Sequence, residues 1–152
     1  MPQLRRFSPK GLAAACAVAV VVGCASHPTP PADTIRKEMS ALREAIGQRV
    51  QDPARSQRAL QSANRMQDEL LALEQTVYQF SIELRALNAR PDAAREDFEA
   101  IAERFDQARV ERRQAIVGAH LGLLANTTAD EWKALSGHEA RAMVASVQLP
   151  RR

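Results

Sequence analysis

Cysteine and histidine are the side chains of this 152-residue chain with the most distinctive chemistry. The two cysteines, Cys16 and Cys24, lie within and just after an apolar stretch near the N-terminus. The three histidines, His27, His120 and His138, are far apart in the sequence. A thiolate can be alkylated, oxidised or bound to a metal, and an imidazole can bind a metal or carry a proton. The residues around each of them decide between these chemistries.

The segment before Cys24 is typical of an export signal. A basic start, with Arg5, Arg6 and Lys10, precedes an uncharged run of twelve residues, 11–22. Twelve residues are too few to cross a hydrocarbon layer of about 30 Å as a helix. A basic start and a short apolar run are what a secretory signal requires. An ordinary cleaved signal or an uncleaved anchor would begin in the same way, so the residues at the end of the run are decisive.

The run ends in Val21-Val22-Gly23-Cys24. This resembles the lipobox of bacterial lipoproteins, where a small residue precedes the cysteine that becomes lipidated. The resemblance implies cleavage between Gly23 and Cys24, a diacylglycerol thioether on Cys24, and acylation of the new N-terminus with a fatty acid such as palmitate. Two or three acyl chains are enough for stable anchoring. Cys16 is a poorer candidate, because too little apolar chain precedes it.

The residue after the lipobox bears on the location. Ala25 stands where an aspartate would retain a lipoprotein in the inner membrane of enteric bacteria. The resemblance therefore predicts the periplasmic face of the cell envelope, at the outer membrane. The covalent lipid on Cys24 is the only cofactor predicted. With Cys16 removed and Cys24 lipidated, the mature chain would have no thiol for a disulfide, a nucleophile or a metal site.

Cleavage would also change the charge. The precursor carries a formal charge of +3 and has a pI near 9.3. Residues 1–23 hold three of the 21 basic residues and no acid, so 18 basic residues remain against 18 acidic ones. The basic pI is thus a property of the signal, and no nucleic-acid partner is predicted. An aromatic content of 4% also argues against a stacking surface for single strands.

Three segments follow from these patterns: a signal peptide (1–23), a lipidated cysteine with a proline-rich tether (24–32) and one helical domain (33–149). From Asp33 onward apolar residues recur every three or four positions, which indicates helices throughout. The predicted fold is all-α. It has a shorter N-terminal helix, a long antiparallel helical hairpin (about 53–89 and 92–125) and short C-terminal helices (129–135 and 136 to about 147).

The first long helix carries a heptad pattern typical of coiled-coil packing. The residues of this seam are Met66, Leu70, Leu73, Val77, Phe80, Leu84 and Leu87. Leu60, Leu71, Tyr78 and Ile82 lie beside the seam and widen the apolar face, which suggests more than one neighbour. The other helices could be those neighbours, or a second subunit could, so a homodimer or another protein partner is predicted.

The second long helix has a less regular pattern. Its seam begins with Phe98, Ile101 and Phe105 but meets Arg112 where an apolar residue is due. Arg112 either extends past the seam or pairs with an acid on the facing helix. Beyond it the apolar face is expected to move to Val110, Val117, Leu121 and Leu124. A possible groove for a client or partner comprises Val117, Gly118, Leu121, Gly122, Leu124 and Trp132. The small residues there would equally allow close packing against Trp132.

No catalytic pattern is apparent, and the sequence predicts a protein that is not an enzyme. The sequence has no Ser/His/Asp arrangement, glycine-rich phosphate loop or metal motif. A zinc site typically has two histidines close together in the sequence, such as at positions i and i+4. His120 and His138 are eighteen positions apart. Solvated or locally bonded histidines are therefore expected. The alternative is that these two meet across a turn, with Glu131 or Glu139 as oxygen ligands.

A capping box is predicted at Thr128-Ala129-Asp130-Glu131. With Thr127, it resembles the helix start Leu-Thr-x-x-Gln of the Spy/CpxP group and related periplasmic heavy-metal sensors. Thr127 replaces the leucine and Glu131 the glutamine. The resemblance implies ATP-independent chaperoning, stress sensing or metal sensing, by protein binding. The alternative is a structural coiled-coil lipoprotein that oligomerises or tethers an envelope component.

Overall fold

The computed structural model describes residues 29–148; the signal, Gly23, Cys24 and His27 lie outside the described residues. Four helices make up this part of the chain: α1 (Pro31–Arg49), α2 (Pro53–Asn88), α3 (Arg95–Ala125) and α4 (Ala129–Ser146). Residues 29–148 contain no strand, so the all-α prediction is confirmed. Among the same residues, no helix combines the length and apolarity needed to cross a membrane.

Two of the helices begin where capping chemistry predicts. Asp52 Oδ1 accepts a hydrogen bond of 2.7 Å from the Arg55 backbone N–H, and Pro53 is the first residue of α2. Thr128 caps α4: its Oγ1 accepts from the Glu131 backbone N–H at 3.3 Å, and Glu131 Oε2 accepts from the Thr128 N–H at 2.7 Å. Both motifs satisfy backbone donors that a helix N-terminus leaves unpaired.

The other two helices begin elsewhere than predicted. Helix α1 begins at Pro31, two residues before Asp33. Helix α3 begins at Arg95, because the carboxylate of Asp97 accepts from the Ala94 backbone N–H at 3.2 Å. Asp92, where the sequence predicted the start of this helix, instead pairs with Arg90 at 3.2 Å in the connecting turn. A proline at the first turn and an acid at the third helical residue are alternative ways to start a helix.

The prediction of short C-terminal helices is wrong, since α4 runs unbroken through Ser136 and Gly137. A glycine inside a helix costs roughly 0.5–1 kcal/mol relative to alanine. Burial of one continuous face outweighs that cost. This face comprises Leu135, Glu139, Ala142 and Ala145. A helix broken at Gly137 could not bring all of these side chains into the core.

The four helices share one hydrophobic core. Helix α2 packs against both α1 and α3, and α4 packs against α1. The centre consists of fully buried side chains, among them Ile35, Leu42, Met66, Leu123 and Leu135. Consecutive helices run in opposite directions, since only three residues connect α1 to α2 and α3 to α4. The base of the molecule is therefore an antiparallel four-helix bundle.

Helix α3 keeps its packing register through Arg112, and its buried face does not move as expected. The side chains that pack inward beyond Arg112 are Ile116, Ala119 and Leu123. Arg112 Nη1 donates to Glu69 Oε2 of α2 at 3.0 Å, so the arginine is accommodated by an acid on the facing helix. Of the two alternatives for Arg112, pairing is what the structure shows.

Candidate functional site

Helices α2 and α3 are much longer than the helices that cover them. Glu38 on α1 pairs with Arg141 on α4, so the start of α1 and the end of α4 lie at about the same level of the bundle. Ser146 of α4 reaches the level of Leu70 and Leu73 of α2, with which it lines a groove. Beyond Leu73, α2 continues for about 22 Å at 1.5 Å per residue. Among the helices of residues 29–148, α3 is the one that contacts it there. We call this two-helix extension, residues 74–88 and 95–110, the arm.

The arm is held together by a few specific contacts between its two helices. Phe80 of α2 stacks on Phe105 of α3, with ring centroids 4.2 Å apart and planes inclined by 21°. Arg104 donates to Glu83 at 2.7 Å on the surface. Stacked aromatic pairs contribute about 0.5–1.5 kcal/mol beyond burial, whereas an exposed ion pair contributes little. The aromatic pair therefore stabilises the contact between the two helices of the arm more than the ion pair does.

One flank of the arm continues a face that is covered in the base. Leu60 and Leu71 are partly buried against the core, as the widened face of α2 predicted. Tyr78 and Ile82 extend that face at spacings of seven and four residues, and they are 40% and 41% exposed. Helical periodicity places these residues on one side of α2. We call Tyr78 and Ile82 the arm flank; its apolar side chains have no covering helix among the described residues.

The predicted seam of α2 is also covered unevenly. Met66, Leu70, Leu73, Val77 and Leu87 are buried, and Phe80 is half-buried on Phe105. Leu84, one turn before Leu87, remains 37% exposed. A two-helix coiled coil leaves part of its seam in contact with water, because only one partner helix covers each residue.

The residues of the predicted groove are separated by the structure. Val117, Leu121 and Leu124 lie exposed on α3, together with Val110. We call these four residues the outer row; of them, Val117 also lines a groove between α3 and the end of α4, and Leu121 and Leu124 do not. Trp132 of α4 is half-buried and lies edge-on against His120, with ring centroids 5.5 Å apart.

The two glycines of the predicted groove have different surroundings. A Cβ on Gly118 would meet nothing within 4 Å, whereas a Cβ on Gly122 would overlap the hydroxyl of Ser62 and lie 3.2 Å from its Cβ. Gly122 therefore allows α3 to approach α2 closely at Ser62, and Gly118 has no such role.

Substitution of these glycines should have opposite effects. Gly118→Ala is expected to raise the free energy of unfolding by about 0.5–1 kcal/mol, because alanine favours the helix and fits the space. Gly122→Ala is expected to lower it by roughly 1–3 kcal/mol, since Ser62 must be displaced. Urea unfolding followed by circular dichroism measures both. A stabilising Gly122→Ala would show that α2 and α3 are farther apart than described.

The two histidines of the described residues, His120 and His138, each pair with a different acid. His120 Nδ1 lies 2.8 Å from Oε1 of Glu139, which is almost fully buried, and His138 Nδ1 lies 2.8 Å from Oε2 of Glu38. The alternative metal site from His120 and His138 is therefore not assembled: each histidine bonds to a different acid, and Glu131 pairs with Arg55. Among the described residues, no group of three or more His, Cys, Asp or Glu side chains is arranged to hold a metal.

Two ionic contacts link distant parts of the base. Arg55 at the start of α2 forms a bidentate salt bridge with Glu131 of α4. Its Nη1 donates to Oε2 at 2.9 Å and its Nη2 donates to Oε1 at 3.1 Å. The hydrogen bonds from Arg55 and from the Thr128 backbone lower the pKa of the Glu131 carboxyl. In the second contact, hydrogen bonds from Arg141 and His138 lower the pKa of the Glu38 carboxyl. Neither the Arg55–Glu131 pair nor the His138–Glu38 pair could be predicted from the sequence, because the partners are 76 and 100 residues apart.

We expect the free energy of unfolding to fall at low pH, in part because the Glu38 carboxylate becomes protonated. Its folded-state pKa lies below the unfolded value, so its contribution is fully present above the unfolded pKa, near 4.5, and is lost as the pH falls through the folded pKa. Glu38→Gln is therefore expected to lower the melting temperature at pH 7 and to reduce its fall between pH 5 and pH 3. Glu44→Gln, at an exposed position of the same helix, is the control. Equal acid sensitivity in the Glu38→Gln variant and the wild type would contradict the assigned role.

Comparison with known proteins identifies no relative of this chain. No protein-family model matches the chain, and no curated protein or solved structure matches it.

Proposed function

We propose that this chain is a lipid-anchored protein of the bacterial cell envelope that acts by binding protein through the arm and the outer row of α3. The lipid would be attached to Cys24, and the domain would face the periplasm, at the outer membrane. The observation that carries the binding proposal is the contrast between a well-packed base and an arm that leaves the apolar side chains Tyr78, Ile82 and Val110 exposed. That contrast comes from the different lengths of the helices.

The arm flank provides the more specific support. Within the base, α2 buries its widened face, and the same face continues past the ends of α1 and α4 as Tyr78 and Ile82. A partner helix laid along this flank would continue the packing that the base already uses. On binding, each of these side chains would have apolar surface removed from water, which stabilises the complex by roughly 25 cal/mol per Å².

The outer row provides a second apolar surface. Val110, Val117, Leu121 and Leu124 follow one another at spacings of seven, four and three, and all four are exposed. The row is about 21 Å long at 1.5 Å per residue. Apolar rows of this length on a helix are typical of sites for an amphipathic partner segment.

The mode of action we propose is non-enzymatic and does not involve nucleic acid. The mature side chains would sum to zero charge, so association would depend on apolar and helix-face contacts. The resemblance of Thr127–Glu131 to the Spy/CpxP helix start supports a chaperone-like or stress-sensing role. The histidine pairs described above offer no support for metal sensing. Binding of unfolded or partly folded envelope proteins is therefore the first candidate.

The second candidate is a structural coiled-coil lipoprotein that oligomerises or tethers an envelope component. The heptad seam of α2 and the Phe80–Phe105 stack favour it, since a stiff arm is suited to spanning a distance. A second copy could cover the arm flank in a homodimer. The two candidates differ in what contacts Tyr78 and Ile82.

Suppression of client aggregation tests the first candidate. The full chain, purified in lipid nanodiscs, should suppress aggregation of a chemically unfolded client, and Ile82→Glu with Leu121→Glu should reduce that effect about tenfold. Val144→Glu, which adds the same charge at an exposed valine of α4, should leave it unchanged. Equal activity in all variants would place the binding surface elsewhere.

Crosslinking in intact cells separates the two candidates. A photo-reactive residue at position 82 should give adducts with other envelope proteins if the chain binds clients. Adducts of twice the chain's own mass would support the oligomeric coiled coil instead. The same probe at Gln57, exposed on the base, serves as the control. Equal adduct yields at positions 57 and 82 would contradict both candidates.

A further inference from the structure

A groove lies between α3 and α4 at the level where the base ends and the arm begins. Its volume is about 330 Å³, and its floor is formed by Leu70 and Leu73 of α2. The apolar sides are formed by Ile116 and Val117 of α3, by Met143 of α4 and by Val147, the residue after α4. Val117 thus belongs both to this groove and to the outer row. Helices α3 and α4 are bridged by the His120–Glu139 contact nearer the other end of the bundle, so the groove is open at the level of the arm. This volume is in the range of small-molecule sites.

Positive charge is concentrated at one side of this groove. Arg109 and Arg113 of α3 both line it, and no acidic side chain is among its lining residues. Arg109 shares an exposed contact with Asp106 at 3.0 Å, and within residues 29–148 Arg113 takes part in no ion pair. Guanidinium groups one helical turn apart can both reach a single carboxylate and bind it through parallel hydrogen bonds. An anionic group at this side of the groove could therefore form ion pairs with both arginines.

The apolar part of the groove offers few hydrogen-bond partners to a peptide backbone. Its lining residues from residue 70 to residue 146 belong to α2, α3 and α4, whose backbone N–H groups are already paired within the helices. Ser146, a polar residue of the lining, donates its hydroxyl to the Met143 carbonyl at 2.8 Å. An extended peptide would leave its own N–H and C=O groups unpaired there. A helix with side chains is about 10–12 Å across, too wide for a groove of this volume.

We propose that this groove binds a single-chain carboxylate amphiphile, a long-chain fatty acid, with the acyl chain on the Leu70–Leu73 floor and the carboxylate between Arg109 and Arg113. An acyl chain requires no hydrogen-bond partners and suits the apolar floor. The carboxylate supplies a negative charge for Arg113, which takes part in no ion pair within residues 29–148, and for Arg109, whose contact with Asp106 is exposed. This site is separate from the arm flank, and it is independent of lipidation at Cys24.

Photolabelling tests the site directly. The full chain in lipid nanodiscs is irradiated with a palmitate that carries a diazirine, and the adducts are mapped by mass spectrometry. Adducts are expected at groove residues on α3 and α4, and excess unlabelled palmitate should remove them. The double variant Arg109→Gln/Arg113→Gln should reduce labelling about tenfold, because two charge-assisted contacts are lost. Arg85→Gln/Arg95→Gln removes two arginines from the arm and should have no effect.

A valine pair provides a control for folding. Val144 of α4 and Val147, the residue after α4, are both 58% exposed, but only Val147 lines the groove. Val147→Glu places a carboxylate at the groove and should reduce labelling about tenfold, whereas Val144→Glu should not change it. A palmityl amine with the same diazirine should label the groove weakly, since its charge is opposite.

Four results would overturn the proposal. These are adducts spread evenly over the surface, equal labelling by the amine, equal effects of the two valine variants, and a groove adduct whose mass identifies the lipid of Cys24. The last result would show that the chain's own anchor occupies the groove.

Discussion

Leu123→Ala should lower the free energy of unfolding by about 2–5 kcal/mol, whereas Leu124→Ala, at the next residue, should cost less than about 1 kcal/mol. Leu123 is fully buried in the core, and Leu124 is 37% exposed in the outer row. Truncation of a buried leucine loses its transfer free energy and leaves a cavity, while an exposed leucine loses little of either.

This pair tests the register of α3. Urea unfolding followed by circular dichroism gives both free energies, and the two variants have the same composition, so effects on helix propensity and on the unfolded chain are matched. A larger cost for Leu124→Ala would mean that the packing face moves after Arg112, as the apolar spacing of the sequence suggested. In that case the outer row would be part of the core and could not bind a partner.

Cys24→Ala should abolish incorporation of radiolabelled palmitate into the protein, a loss of tenfold or more. The prediction rests on Val21-Val22-Gly23-Cys24, and the physical reason is that a methyl group cannot form the thioether on which later processing depends. The variant should keep its signal, run at the precursor mass and disappear from the outer-membrane fraction. Metabolic labelling, gel mobility and membrane fractionation measure these three effects.

Cys16→Ala is the matched control for this experiment. Cys16 lies inside the apolar run, with too little apolar chain before it to serve as the lipidated residue. Its replacement should leave labelling, processing and fractionation unchanged. Palmitate retained on the Cys24→Ala variant would contradict the lipobox assignment and, with it, the proposed location. The groove between α3 and α4 would be unaffected by that outcome.

Some features of the fold could be predicted because they depend on neighbouring residues. Asp52 and Thr128 start helices through hydrogen bonds that reach only three residues along the chain. The break between Leu135 and Ser136 was predicted from equally local signals. It was wrong because burial of Leu135 and Ala142 against other helices outweighs the cost of a glycine inside the helix. Local propensity is decisive only where no tertiary packing opposes it.

Features that join distant residues could not be predicted. Glu38 and His138 are 100 residues apart, and neither residue has a pattern that identifies its partner. Leu123 and Leu124 are adjacent leucines, so sequence alone cannot say which is buried. The arginines beside the groove, Arg109 and Arg113, lie in a sequence of mixed charge that does not distinguish them from other surface arginines. Their relation to Leu70 and Leu73 exists only because α3 and α4 leave a gap over α2.

The sequence by itself determined that the chain from Asp33 to Ser146 is helical apart from its turns. It also predicted the export signal and the neutral charge of the mature chain. These features depend on hydrogen bonds within a few residues, on apolar periodicity and on simple composition. Tertiary structure alone decided which apolar faces are covered. Helices α1 and α4 extend to about the level of Leu73, so the same face that is partly buried at Leu71 is exposed at Tyr78 and Ile82. Burial depends on the length and position of neighbouring helices, and no local pattern encodes these.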